Sequence, residues 1–185
     1  QRVEQTLRID ESRSHADEAG QASRHARRST WAEAPATHRR NRQGYDRTDP
    51  SVIAVDTSIV VAAFASWHVG HDASMSVLAR RPRIPAHALI ESFSVLTRLP
   101  SPHRAQPLVV EQFLAERFRH TPLTLPGVSV RALLVTAVSR DLSGGAIYDA
   151  LIAETAKRVR ATLFTRDKRA VPTYEKVGVL FELLS

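Results

Sequence analysis

The stretch Val52-Ile53-Ala54-Val55-Asp56-Thr57-Ser58 decides how the chain is read. Four consecutive apolar residues, three of them β-branched, suit a strand buried on both faces, as in a parallel sheet. An acid and two hydroxyl residues follow at once, and these are helix-capping side chains. The apolar run from Ile59 to Ala65 then predicts a helix over 59–67. A strand that ends in a cap and a helix opens an α/β unit.

Working outward, the same alternation continues. Helices are predicted over 72–80, 86–99, 108–118, 128–139 and 146–159. Short extended pieces are expected at 83–85, 122–125, 161–165 and 179–183. Pro85 disfavours helix at Ile84, and Pro100 and Pro102 stop the helix before them. Gly144-Gly145 breaks the chain ahead of 146–159. The pattern favours an α/β/α sandwich around a mainly parallel sheet. In such sheets a site lies beyond the carboxyl ends of the strands, where Asp56 and Asp167 fall.

Upstream of Val52 the chain differs in kind. Residues 1–50 hold twelve apolar residues, seven of them alanine, and no Phe. Ten Arg and eight acids are scattered among them without helical apolar spacing. Such a segment buries too little surface to offset about 1–2 kcal/mol of backbone entropy per residue. Residues 1–50 are therefore expected to be a disordered or non-native N-terminal extension, and 51–185 the domain. The domain has all six Phe and sixteen basic against eleven acidic residues, so it is itself basic.

The 185 residues contain no cysteine. That excludes a disulfide scaffold, a thiolate zinc site, an iron–sulfur cluster and a cysteine nucleophile. The longest apolar run has seven residues, far short of the ~20 that span a bilayer. The expectation is a cytoplasmic protein with no membrane partner. A net charge of +7 points toward a polyanion.

Four acids stand at strand ends or in apolar helical segments: Asp56, Glu91, Asp149 and Asp167. Each has an ordinary alternative. Asp56 suits an N-cap, and Glu91 suits a solvated face shared with Arg98. Asp149 sits where a helix dipole favours a carboxylate, and Asp167 suits a cap on the next turn. Together they are harder to dismiss. Two carboxylates about 4 Å apart repel by about 4 kcal/mol at an effective dielectric of about 20. A divalent cation is the usual remedy. Oxygen ligands without Cys or His select Mg²⁺ or Mn²⁺ over zinc. Such ions activate water toward a phosphodiester.

Here the motifs resemble a known family. Val52 to Ser58 resembles the opening of PIN-domain ribonucleases, especially VapC toxins of toxin–antitoxin pairs. Ile84-Pro85-Ala86-His87-Ala88-Leu89-Ile90-Glu91 is similar to their second motif, and Gly145-Ala146-Ile147-Tyr148-Asp149-Ala150-Leu151-Ile152-Ala153 to their third. Leu163-Phe164-Thr165-Arg166-Asp167 resembles the fourth. The resemblance covers residues 52–185 and implies a PIN domain there. It implies a metal-dependent endoribonuclease that cuts structured RNA, such as transfer or ribosomal RNA. It makes Asp56, Glu91 and Asp149 the principal ligands of Mg²⁺, with Mn²⁺ as the other candidate, and Asp167 the completing acid. Thr57, Ser58 and Thr165 would orient the carboxylates. A homodimer and a cognate VapB-type antitoxin are implied as well.

The basic residues fit an RNA surface independently. They form four groups: Arg80-Arg81-Arg83, Arg98 with Arg104, Lys157-Arg158-Arg160, and Arg166-Lys168-Arg169. The alternative for each is a solvated helix end. His68 and His71 are three apart, but no third zinc ligand follows. A phosphatase using Asp56 as nucleophile would want a second Asp where Ser58 stands. The other alternative is a catalytically inactive PIN-like module that only binds RNA or protein.

Overall fold

The computed structural model describes residues 52–185, and the expectation for residues 1–50 lies outside them. Three parallel strands form the sheet, in the order β1-β2-β3: β1 (Ile53–Val55), β2 (Thr162–Thr165) and β3 (Phe181–Leu183). All three residues of β1 are buried, which is what a central parallel strand requires. Its register pairs Ile53 with Thr162 and Val55 with Phe164. On the other side of β1 the chain at 83–85 adds a further parallel rung. The Val55 amide donates to the Arg83 carbonyl at 3.1 Å, and the Arg83 amide to the Ile53 carbonyl at 2.8 Å. Leu123 bridges in turn to Pro85.

Seven helices connect and cover these strands among the described residues. They are α1 (Thr57–Phe64), α2 (His71–Ala79), α3 (Ala86–Arg98), α4 (Pro107–Arg117), α5 (Gly127–Ser139), α6 (Ala146–Arg158) and α7 (Val171–Val177). Proline sets the entrances of three of them. Pro85 and Pro126 are the N-caps of α3 and α5, and Pro107 opens α4, where its missing N–H costs nothing. Helix α1 packs on α2 and α3, and α6 packs on β2, α5 and α7. The core is aliphatic: Ile59, Ile84, Leu96, Ile152 and Leu163 are each at most 2% exposed. This is the α/β fold with a parallel sheet that the alternation predicts.

Four local expectations are corrected. Helix α1 stops at Phe64 rather than at residue 67, because Ala65 turns extended and residues 65–70 bend back toward β2. The piece at 122–125 is a single bridge at Leu123, and the last strand starts at Phe181 rather than 179. Helix α7 was not anticipated. It starts at a proline-bearing first turn and ends at Gly178, whose φ of 73° is left-handed backbone that glycine adopts freely.

Candidate active site

Asp56 follows β1 directly and is only 3% exposed. It is the N-cap of α1, so its ordinary role is present too. Its Oδ1 accepts from the Ser58 amide at 3.0 Å, the Ser58 hydroxyl at 2.6 Å and the Ile59 amide at 3.2 Å. Its Oδ2 accepts from the Tyr174 hydroxyl at 3.0 Å. Burial pushes this carboxyl above the usual range, while the bonds from Ser58 and Tyr174 pull it back. Burial and the Asp56 charge also drive the Tyr174 phenol far above its ordinary value, so it remains a donor.

Glu91 sits in the second turn of α3 and is half-buried. Its Oε2 accepts from the Thr57 hydroxyl at 2.6 Å, which turns it toward the start of α1. Asp149 lies in the first turn of α6. Burial pushes its carboxyl up to about 6, followed by the negative charges of Asp167, Glu91 and Asp56, with Arg169 opposing them.

Asp167 comes two residues after β2. Burial would raise it, but Arg169 outweighs that and holds it below the usual range. The Arg169 amide and Nε both donate to Oδ1, at 2.9 and 3.2 Å, and Nη2 reaches Oδ2 at 3.3 Å. So Asp167 does cap the turn that follows it. Hydroxyls join this end to the other. The Asp167 amide donates to Thr165 Oγ1 at 3.0 Å, and the Arg166 amide to Ser58 Oγ at 2.7 Å.

All four acids line one open pocket of about 450 Å³, beyond the carboxyl ends of β1 and β2. They do not close on one point: among the described residues no three acidic or imidazole groups form a ready-made ion cage. The donor chemistry nevertheless suits a hard divalent cation. Every acid offers carboxylate oxygen, and burial, with the neighbouring negative charges adding to it, already pushes the Asp149 carboxyl up to about 6.

Four features of the pocket were not read from the sequence. Tyr174 reaches Asp56 across 118 positions, from a helix that was not expected. His68 lines the pocket because the loop after α1 folds back, and its Nδ1 accepts from the Gly70 amide at 2.9 Å. The Arg166 guanidinium lies on Gly70, where a Cβ would fall 2.1 Å from its Cζ, and its Nη1 donates to the Ser185 carbonyl. Arg169 pairs with Asp167. No local periodicity announces any of these contacts.

Of the four basic groups, only Arg166 and Arg169 line the pocket. Several of the others serve packing. Arg80 stacks over the Phe164 ring, Arg83 donates to the Thr121 carbonyl, and Lys157 donates to the Val177 carbonyl. His71 Nδ1 lies 3.3 Å from the Ala62 carbonyl, and this side chain does not line the pocket.

Comparison with known proteins agrees with this geometry. The PIN domain family matches residues 53–176. Two Ribonuclease VapC40 proteins of Mycobacterium tuberculosis, from strains CDC 1551 / Oshkosh and H37Rv, are each 48% identical over 134 residues. That is 72% of this chain and 100% of the relative. Ribonuclease VapC27 of strain H37Rv is 42% identical over 128 residues, 69% of this chain and 93% of the relative. With two acids just past the ends of parallel strands, two more on helices facing the same pocket, and relatives matched over nearly their whole length, the chain belongs to the PIN-domain family, among its VapC toxins.

Proposed function

We propose that the pocket is the active centre of a divalent-metal-dependent endoribonuclease that cuts structured RNA. One observation carries this: four carboxylates from four separate elements line one basic-rimmed pocket. The named ribonucleases similar to this chain support the same activity. Asp56, Glu91 and Asp149 would hold Mg²⁺ or Mn²⁺, and Asp167 would complete the set. When bound, the cation offsets the carboxylate repulsion and supplies Lewis-acid assistance to phosphodiester hydrolysis. Thr57 fixes the Glu91 carboxylate, and Ser58 fixes that of Asp56. Arg166 and Arg169 present positive charge at the rim, where an RNA phosphate would sit.

Transfer or ribosomal RNA is the proposed substrate, and a VapB-type antitoxin the proposed neutralising partner. We place the working protein in the cytoplasm as a homodimer. No helix of the described residues is long and apolar enough to cross a membrane. The test is cleavage of total RNA by the purified full chain with Mg²⁺ or Mn²⁺, with EDTA, and with the Asp56→Asn variant. Discrete metal-dependent products absent from the variant support the proposal. Absence of cleavage by folded, metal-loaded, antitoxin-free protein on every structured RNA tried would favour the inactive binding module instead.

A further inference from the structure

Asp56 has few lone pairs left. An ionised carboxylate offers about four acceptor sites. Three donors converge on Oδ1: the Ser58 amide, the Ser58 hydroxyl and the Ile59 amide. Oδ2 meets the Tyr174 hydroxyl at 3.0 Å, with the Thr165 hydroxyl also bearing on the carboxylate. Oδ1 is thus saturated, and Oδ2 is the less crowded oxygen. A cation held in the pocket would meet that oxygen, beside the phenol.

The phenol is well held. Tyr174 is 1% exposed, sits in the middle of α7, and packs its ring against Phe181 at 5.9 Å and 58°. Helix α7 in turn packs on α6, which carries Asp149. We propose that Tyr174 is a positioning residue that makes Asp56 a one-oxygen ligand, through Oδ2, for the divalent cation. This inference rests on the metal-centre function proposed above. Outer partners of metal ligands commonly control affinity by about 10- to 100-fold.

The experiment measures Mn²⁺ binding without RNA, by the electron paramagnetic resonance signal of free Mn²⁺, on the full chain and on Tyr174→Phe and Asp56→Asn. Tyr174→Phe removes one oxygen and keeps the ring. The expected result is a Mn²⁺ Kd raised about tenfold. RNA cleavage by this variant should need correspondingly more Mn²⁺, yet recover to within about threefold of the parent rate at saturating metal. Unchanged Mn²⁺ affinity in Tyr174→Phe, with binding lost in Asp56→Asn, overturns the role of Tyr174 and spares the metal centre. Unchanged binding in both variants overturns the metal centre itself. A second measurement covers a Tyr174→Phe protein that melts. In the parent labelled with ¹³C at tyrosine Cζ, Mg²⁺ should shift the Tyr174 resonance, and no shift at saturating Mg²⁺ refutes the proposal.

Discussion

Asp56 is 3% exposed and accepts four hydrogen bonds, whereas Asp167 is held by one arginine whose own side chain is 91% exposed. Both line the same pocket. Burial drives the first carboxyl up, and the arginine drives the second down. One end of the site is over-determined by the core, and the other is a surface contact that solvent shares. Removal of the Asp56 carboxylate charge at the buried end should therefore cost function outright, while changes at the rim should tune it.

The sharpest break would come from Asp56→Asn. Asparagine caps a helix about as well as aspartate, so the fold should survive. Cleavage should fall by more than about 100-fold, beyond the usual effect of an outer partner. Residual cleavage near the parent level, in a protein with unchanged circular dichroism, would show that the buried end is only structural. Gly70→Ala probes the rim. A Cβ there must push the Arg166 guanidinium off its seat, and a flexible side chain can yield. Cleavage should fall about tenfold, the worth of one charge-assisted contact, with the melting temperature hardly changed. Arg166→Ala should match it, and a large loss in one variant alone would separate the glycine from the arginine.

Arg169→Gln should be milder. It frees Asp167, whose carboxyl should rise toward its ordinary range in an NMR titration. Stability should stay unchanged, since an exposed ion pair contributes little. A lowered melting temperature would mean that the rim is as structural as the buried end.

The smallest effect concerns Asp149, which lies between the two ends. Its carboxyl titrates at about 6 when folded, against an ordinary 3.8. The folded state therefore binds more protons than the unfolded state between those values. The stability of the metal-free protein should fall as pH rises through that window, with the full penalty present above 6. The half-exposed site screens this, leaving about 1 kcal/mol or less. Melting at pH 5 and pH 7.5 in EDTA should show a larger drop for the parent than for Asp149→Asn, and equal drops would contradict the electrostatic origin of the shift.

Much of this arrangement is legible in the amino-acid sequence. Val52 to Ser58 carries a strand, a cap and a helix start in seven residues, and each is a local property. The four acids stand out because acids are scarce in apolar segments. Tertiary contacts were not legible. The bend that brings His68 into the pocket depends on what residues 65–70 pack against. Helix α7 is seven residues long, too short for a periodic stripe to identify it. Its Tyr174 looks like any core aromatic until the fold sets it beside Asp56. The extended piece at 83–85 makes two single bridges, Arg83 to Ala54 and Pro85 to Leu123, because only a few of its residues pair.

The topology also orders events in time. Strand β1 leaves the ribosome early, but the strand that flanks it, β2, is made more than a hundred residues later. Contacts so distant in sequence make for slow folding and late closure. Asp56 acquires Tyr174 only once a further 118 residues have been made. The proposed catalytic centre is therefore incomplete until α7 docks, so the activity proposed for it is a late product of folding rather than a property of the early strand and helix.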